Sequence, residues 1–226
     1  MVSHEIPFVW ADKMVYLPFM MTYLTNIRNQ TNVMSEKLTM SAQLLFIWIL
    51  YQDTERFYIS DAVDNLCFSN MTITRAYRQL VDTKLFSEHK SGRKIYLMTP
   101  YSKTELIKKM KPFMKSPVIY TGYVEKSDFN MDMVESGESA LSYYSFLNPP
   151  QISTFAIHKS YANKLNMNQE LVDMSKQIKI EIWDYDPHLF LEDNQIIDVV
   201  SLITSFLEIE DERIEKEIDF LIENIK

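Results

Sequence analysis

Residues 60–98, SDAVDNLCFSNMTITRAYRQLVDTKLFSEHKSGRKIYLM, constrain this fold more than any other stretch of the chain. They predict a helix, a tight turn, a second helix and a hairpin in immediate succession. Ser60 stands where a helix cap belongs, and Asp61 and Asp64 put negative charge in the first turn, where the helix dipole favours it. Cys67-Phe68 makes the turn, with Cys67 expected to be a small buried residue rather than a nucleophile. Ser69 caps the second helix, and Ile73, Ala76, Tyr77 and Leu80 fall at the three-and-four spacing of one buried face. The opposite face carries Asn70, Met71, Thr72, Thr74, Arg75 and Arg78. Two strands, Phe86 to Lys90 and Arg93 to Met98, then flank Ser91-Gly92, and Ile95 and Leu97 alternate with Tyr96 and Met98 as in a half-buried strand.

Upstream, Thr39 is placed to cap a helix through Ser41 to Gln52, with Leu44, Leu45, Trp48 and Ile49 on its buried side. Tyr58-Ile59 fits a very short strand that joins the hairpin. Three helices and a three-stranded ribbon therefore close by residue 99. This order resembles the winged-helix domain of the MarR-like bacterial regulators, and Ser69-Asn70-Met71-Thr72-Ile73-Thr74-Arg75-Ala76 carries the resemblance best. One departure is Cys67, where such families place glycine; a left-handed backbone costs a non-glycine residue roughly 1 kcal/mol.

The resemblance implies a transcriptional regulator that binds double-stranded DNA, with the second helix of the pair in the major groove. Asn70, Met71 and Arg75 are then the expected base-edge contacts: Asn suits adenine, Arg suits guanine and Met touches a thymine methyl. Ser69, Thr72, Thr74 and Arg78 suit phosphates, and Arg93 and Lys94 at the wing tip suit the neighbouring backbone or minor groove. Winged helices also serve as protein-interaction modules, which leaves a reading without DNA.

The net charge of −8 argues against nucleic acid until it is divided along the chain. Residues 116–226 hold eight basic against twenty-one acidic side chains, whereas residues 41–115 sum to +5. The sign is right for phosphates in the first half only, which points to two jobs. The longest apolar run, Leu44 to Tyr51, is far short of the roughly 20 residues that span a bilayer. A single cysteine and the lack of a signal-peptide pattern lead us to expect a cytoplasmic protein with no membrane partner.

The expected fold class is α+β: an N-terminal winged helix-turn-helix followed by a mixed α/β C-terminal domain. Residues 1–36 form an apolar and aromatic arm, an extended segment or hairpin. Residues 37–99 form the winged domain and 100–116 a basic helical linker, in which Ser102 and Glu105 make a capping box before Leu106, Ile107 and Met110. Residues 117–226 form the acidic domain. In it, Val118 to Tyr123 and Ile152 to His158 read as strands, and Glu138 or Ser139 begins a helix. Ile178, Ile180 and Ile182 alternate with Lys179, Glu181 and Trp183 in a strand with one wet side. Asp198 to Phe206 and the Asp211-capped segment with Ile214, Ile218, Leu221 and Ile222 read as helices.

This half resembles the C-terminal domain of AbiEi-type antitoxins in Gly137-Glu138-Ser139-Ala140-Leu141, in Lys179-Ile180-Glu181-Ile182-Trp183, and in the ending from Ile197 through Asp211-Glu212-Arg213. That resemblance implies an autorepressor whose second domain restrains a toxin-like protein partner or senses a small-molecule effector. A homodimer would pair half-sites, although no heptad pattern specifies one.

Other chemistry leaves little trace. Three glycines, Gly92, Gly122 and Gly137, make no phosphate-cradling cluster. The four histidines are scattered, with no zinc spacing, so no cofactor or metal is expected. The single enzymatic alternative is a metal-dependent nucleotidyl transferase using Asp184 and Asp186, near Glu181 and Glu192-Asp193. The same residues before Pro187 also read as an exposed turn.

Overall fold

The computed structural model describes residues 8–10, 14–17, 22–25, 37–129, 133–191 and 195–225. The chain divides into two compact units, Met1–Ser35 and Glu36–Lys226. In the first, β1 (Phe8–Trp10), β2 (Met14–Leu17) and β3 (Thr22–Thr25) pair antiparallel in that order, giving the expected extended arm a sheet of its own.

The second unit begins with α1 (Met40–Leu50), capped by Thr39, whose hydroxyl accepts from the Ala42 N–H. One buried side was the expectation, but every residue from Ala42 to Leu50 is buried, Gln43 included. The reason is that α1 is enclosed on several sides. The later helix α3 packs on it, Gln43 ties it to Lys115, and Tyr51 just beyond its end reaches Asp198.

Next come β4 (Phe57–Tyr58), α2 (Ile59–Leu66), α3 (Asn70–Asp82), β5 (Ser87–Ser91) and β6 (Lys94–Met98). Ser60 is not the cap of α2. The helix starts at Ile59 directly from the strand residue Tyr58, which is held opposite Tyr96, and the Ser60 hydroxyl instead donates to Asp61 Oδ1. Cys67 ends α2 in the left-handed region at φ 52°, as the missing glycine implied, but it is exposed rather than buried. On α3 the expected stripe holds: Ile73, Ala76, Tyr77 and Leu80 are the buried residues. The hairpin turn is Gly92-Arg93, one residue later than expected, because Ser91 pairs with Lys94. Gly92, at φ +60°, takes the first turn position, where a two-residue hairpin wants positive φ. These strands make a sheet in the order β4-β6-β5.

Then α4 (Lys103–Met110) starts from the expected capping box and buries Leu106, Ile107 and Met110. It docks on α7 (Glu212–Glu223), where Thr104 Oγ1 donates to the Ile222 carbonyl and Lys108 pairs with Glu223. Residues 100–116 are thus built into the core. One cluster of buried side chains runs from Leu38 through Met114 to Trp183 and Ile222, so packing is unbroken at residue 116, where a second domain was expected to start.

The remaining sheet is mixed: β7 (Val118–Glu125), β10 (Gln177–Trp183), β9 (Thr154–His158) and β8 (Val134–Glu135), in that spatial order. Strand β10 runs parallel to β9 and antiparallel to β7. Of the expected wet side of β10 only Lys179 stays half-open, Glu181 and Trp183 being buried. Ile178, Ile180 and Ile182 face a small apolar cluster with Phe155, Leu165 and Met167, while Trp183 joins the main core on the opposite face. Glu181 lies on that second face, buried, accepting from Ser136 Oγ and Trp183 Nε1. The helix α5 (Gly137–Tyr144) begins at Gly137, earlier than expected, and Ser139 accepts from the Thr154 N–H instead of capping. The short helix α6 (Val199–Ser205) is capped by Asp198. No helix among the described residues is long and apolar enough to cross a membrane.

Candidate nucleic-acid interface

Burying Ile73, Ala76, Tyr77 and Leu80 leaves the other side of α3 to solvent. Asn70, Met71, Arg75 and Arg78 are exposed there, Met71 at 65 %. Positions 71, 75 and 78 are one helical stripe by spacing alone. Thr72 and Thr74 are half-buried and face their own helix: Ser69 Oγ caps the Thr72 N–H and shares a hydrogen bond with Thr72 Oγ1, while Thr74 Oγ1 donates to the Asn70 carbonyl. These three hydroxyls therefore stiffen the start of α3: Thr74 spends its proton on the Asn70 carbonyl, and one of Ser69 and Thr72 keeps an O–H free to donate. No acidic side chain occupies its first turn, so the positive end of the helix dipole is not offset there.

The cations matter most. Among the described residues no carboxylate pairs with Arg75, Arg78 or Arg93. The lysines of α4 differ: Lys108 is matched with Glu223, Lys103 lies 3.6 Å from Asp53, and Lys109 sits over the Tyr101 ring at 4.9 Å. Unpaired positive charge thus stands on α3 and the hairpin tip, and in residues 100–116 Lys109, Lys111 and Lys115 also have no carboxylate partner among the described residues.

No protein-family model, curated protein or solved structure matches this chain.

One group of residues was missed by sequence reading. Tyr58, Tyr96 and His89 sit side by side across β4, β6 and β5, on the face opposite the buried Phe57 and Leu97. The Tyr58 and Tyr96 rings are 5.3 Å apart and His89 stacks on Tyr96 at 5.5 Å. Arg56 lies over Tyr96 at 5.6 Å and Lys94 over Tyr58 at 5.8 Å. With ring faces occupied by one another and by cations, what the sheet offers outward is phenol hydroxyls, a guanidinium and an ammonium. Those groups bind phosphate oxygens. Their register was the only available signal, and it depended on knowing that β4 pairs with β6.

The acidic turn divides. Asp184 accepts from Lys159 Nζ at 2.5 Å, and Asp186 accepts from the His188 backbone N–H and contacts its ring at 2.8 Å. Among the described residues no three ligand-type side chains stand together, and Glu192-Asp193 lies outside them.

Proposed function

We propose that residues 37–99 are a winged helix that binds duplex DNA, and that the protein is a transcriptional regulator whose remaining elements receive a partner or signal. The order α1-β4-α2-α3-β5-β6, with β4 beside β6, supports the winged-helix reading. In it, α3 enters the major groove. A 13-residue helix is about 20 Å long at 1.5 Å per residue, enough to lie along several base pairs.

The observation that carries the reading is the outward stripe of α3: two guanidiniums without carboxylate partners beside an exposed amide and an exposed thioether. Asn70, Met71 and Arg75 take base edges. Arg78, Arg93 and Lys94 take phosphates, joined by the free hydroxyl proton of the Ser69–Thr72 pair, while Thr74 holds the helix start in place. The acidic remainder of the chain repels DNA and confines contact to this surface.

The test is a fluorescence-anisotropy titration of the full chain against duplex from its own upstream region and against random duplex, at 50 and 200 mM salt. A binder using several phosphate contacts loses affinity steeply with salt and prefers one duplex. Affinity absent at low salt overturns the DNA reading. An α3 face then covered by a protein captured on it is the interaction-module outcome.

A further inference from the structure

Where α1 ends against the start of α6, the fold encloses a cavity of about 900 Å³, within the range of small-molecule sites. Its walls are aromatic: Trp48 and Tyr51 from α1, Tyr144 from α5, Phe190 from the loop before α6 and Phe220 from α7. Tyr51 and Phe190 lie 5.9 Å apart, ring to ring. Among the described residues no lysine, arginine or histidine lines it, and Asp198 is its one carboxylate.

Asp198 is the feature that ordinary folding does not account for. It keeps only 7 % of its surface. Oδ1 is well served, accepting from the Tyr51 hydroxyl at 2.8 Å and from the Ser201 N–H at 2.9 Å. Oδ2 is shut off from solvent and has no hydrogen-bond partner. Burial raises the carboxyl above the usual carboxylate range. A buried carboxylate oxygen without a donor is costly, and such an oxygen is met by a water, an ion or a ligand donor.

We propose that this cavity binds a small aromatic amine. Its ammonium donates to the Asp198 carboxyl in the cavity wall, whose Oδ2 is the oxygen left without a donor. The ligand ring lies among Trp48, Phe190 and Phe220. The ammonium offers a charge-assisted partner to the Asp198 carboxyl and stands beside aromatic rings that attract cations. An anion would meet Asp198 with no cation among the described residues of the wall. The inference stands on the cavity alone and does not need the DNA reading.

The experiment is isothermal titration of the unaltered full chain with 2-phenylethylamine, 2-phenylethanol and phenylacetate, repeated on Asp198→Asn, whose amide oxygen still caps α6. The amine is expected to bind saturably and at least tenfold more tightly than the alcohol, and phenylacetate not at all. Asp198→Asn is expected to weaken the amine at least tenfold and leave the alcohol within twofold. Equal affinity for amine and alcohol overturns the proposal, as does an amine affinity unchanged in the variant, or no saturable heat from any probe. If the variant fails to fold, the amine-to-alcohol ratio on the unaltered chain decides alone.

Discussion

Gln43 and Lys115 hold each other through two reciprocal hydrogen bonds: Gln43 Nε2 donates to the Lys115 carbonyl and the Lys115 N–H donates to Gln43 Oε1, both at 2.9 Å. Gln43 is fully buried, so a side-chain amide imitates one rung of a β-ladder inside the core. This pair fastens α1 to the segment that follows α4. Replacing Gln43 by Leu keeps the bulk but strands both Lys115 backbone groups, at about 1–3 kcal/mol for a buried group left unpaired and less where water reaches it. A loss of about 2–3 kcal/mol is expected for Gln43→Leu, read as a lower urea midpoint with unchanged slope. A midpoint equal to that of the unaltered chain would mean that water serves Lys115 instead.

The two glycines with positive φ separate backbone strain from crowding. Gly92 (φ +60°) has open space where a Cβ would stand, so Gly92→Ala meets only the left-handed penalty, about 1 kcal/mol. At Gly137 (φ +54°) the added carbon would come within 2.8 Å of Thr154 Cγ2 and 3.1 Å of Glu181 Oε1. Overpacking of this kind adds about 1–3 kcal/mol. Thermal melts of the two variants should therefore place Gly137→Ala well below Gly92→Ala, and equal melting temperatures would show that Thr154 gives way freely.

Legibility followed the range of the forces involved. Features set by neighbours in sequence were readable: the Ser69 and Ser102 caps, the Ile73–Leu80 stripe, and the left-handed residue at Cys67. Features set by distant partners were not. Ser60 has the chemistry of a cap, but the pairing of Tyr58 with Tyr96 starts the helix two residues too early for it. The alternation in β10 gave one wet side because Glu181 and Lys179 are charged, whereas the apolar cluster buries the isoleucine face and Ser136 at the start of α5 covers Glu181 on the other, leaving Lys179 half-buried. The candidate site splits the same way: α3 is local, and the Tyr58–Tyr96–His89 row exists only through sheet register.

Glu181 gives a pH dependence whose sign is fixed by burial. Desolvation raises its carboxyl above the usual range, against the opposing pull of the bonds donated by Trp183 and Ser136. A raised folded value means that stability is complete below the unfolded value of about 4 and is lost as pH climbs from there through the folded value. Glu181→Gln keeps an acceptor for both donors and has no proton to release. Urea midpoints measured at pH 5 and pH 8 should shift in favour of Glu181→Gln at the higher pH. A difference between the two proteins that stays constant across that range would place the ionised form in the folded state throughout.

Arg56 reports whether the outer face of β4-β6-β5 belongs to the DNA footprint. If its guanidinium over Tyr96 touches a phosphate, Arg56→Ala lowers the salt dependence of binding by about one contact and weakens all sequences alike. Lys216→Ala, an exposed change on α7, is the control expected to leave both unaltered. A salt slope unmoved by Arg56→Ala would confine the footprint to α3 and the hairpin tip.

Arg75 and Arg78 stand three residues apart on the same stripe, yet their expected roles differ. Arg75 lies nearer the start of α3, the end that a helix seated in the major groove directs at base edges. Arg75→Ala should cost about 1–3 kcal/mol, roughly 5- to 150-fold in affinity, and relax the preference at one base pair. Arg78→Ala should weaken specific and random duplex by the same factor and reduce the salt slope by about one. Anisotropy titrations over single-substitution duplexes at two salt concentrations distinguish the two patterns. Uniform loss from Arg75→Ala would make it a phosphate contact and move base recognition to Asn70 and Met71; no loss from either variant would remove α3 from the interface.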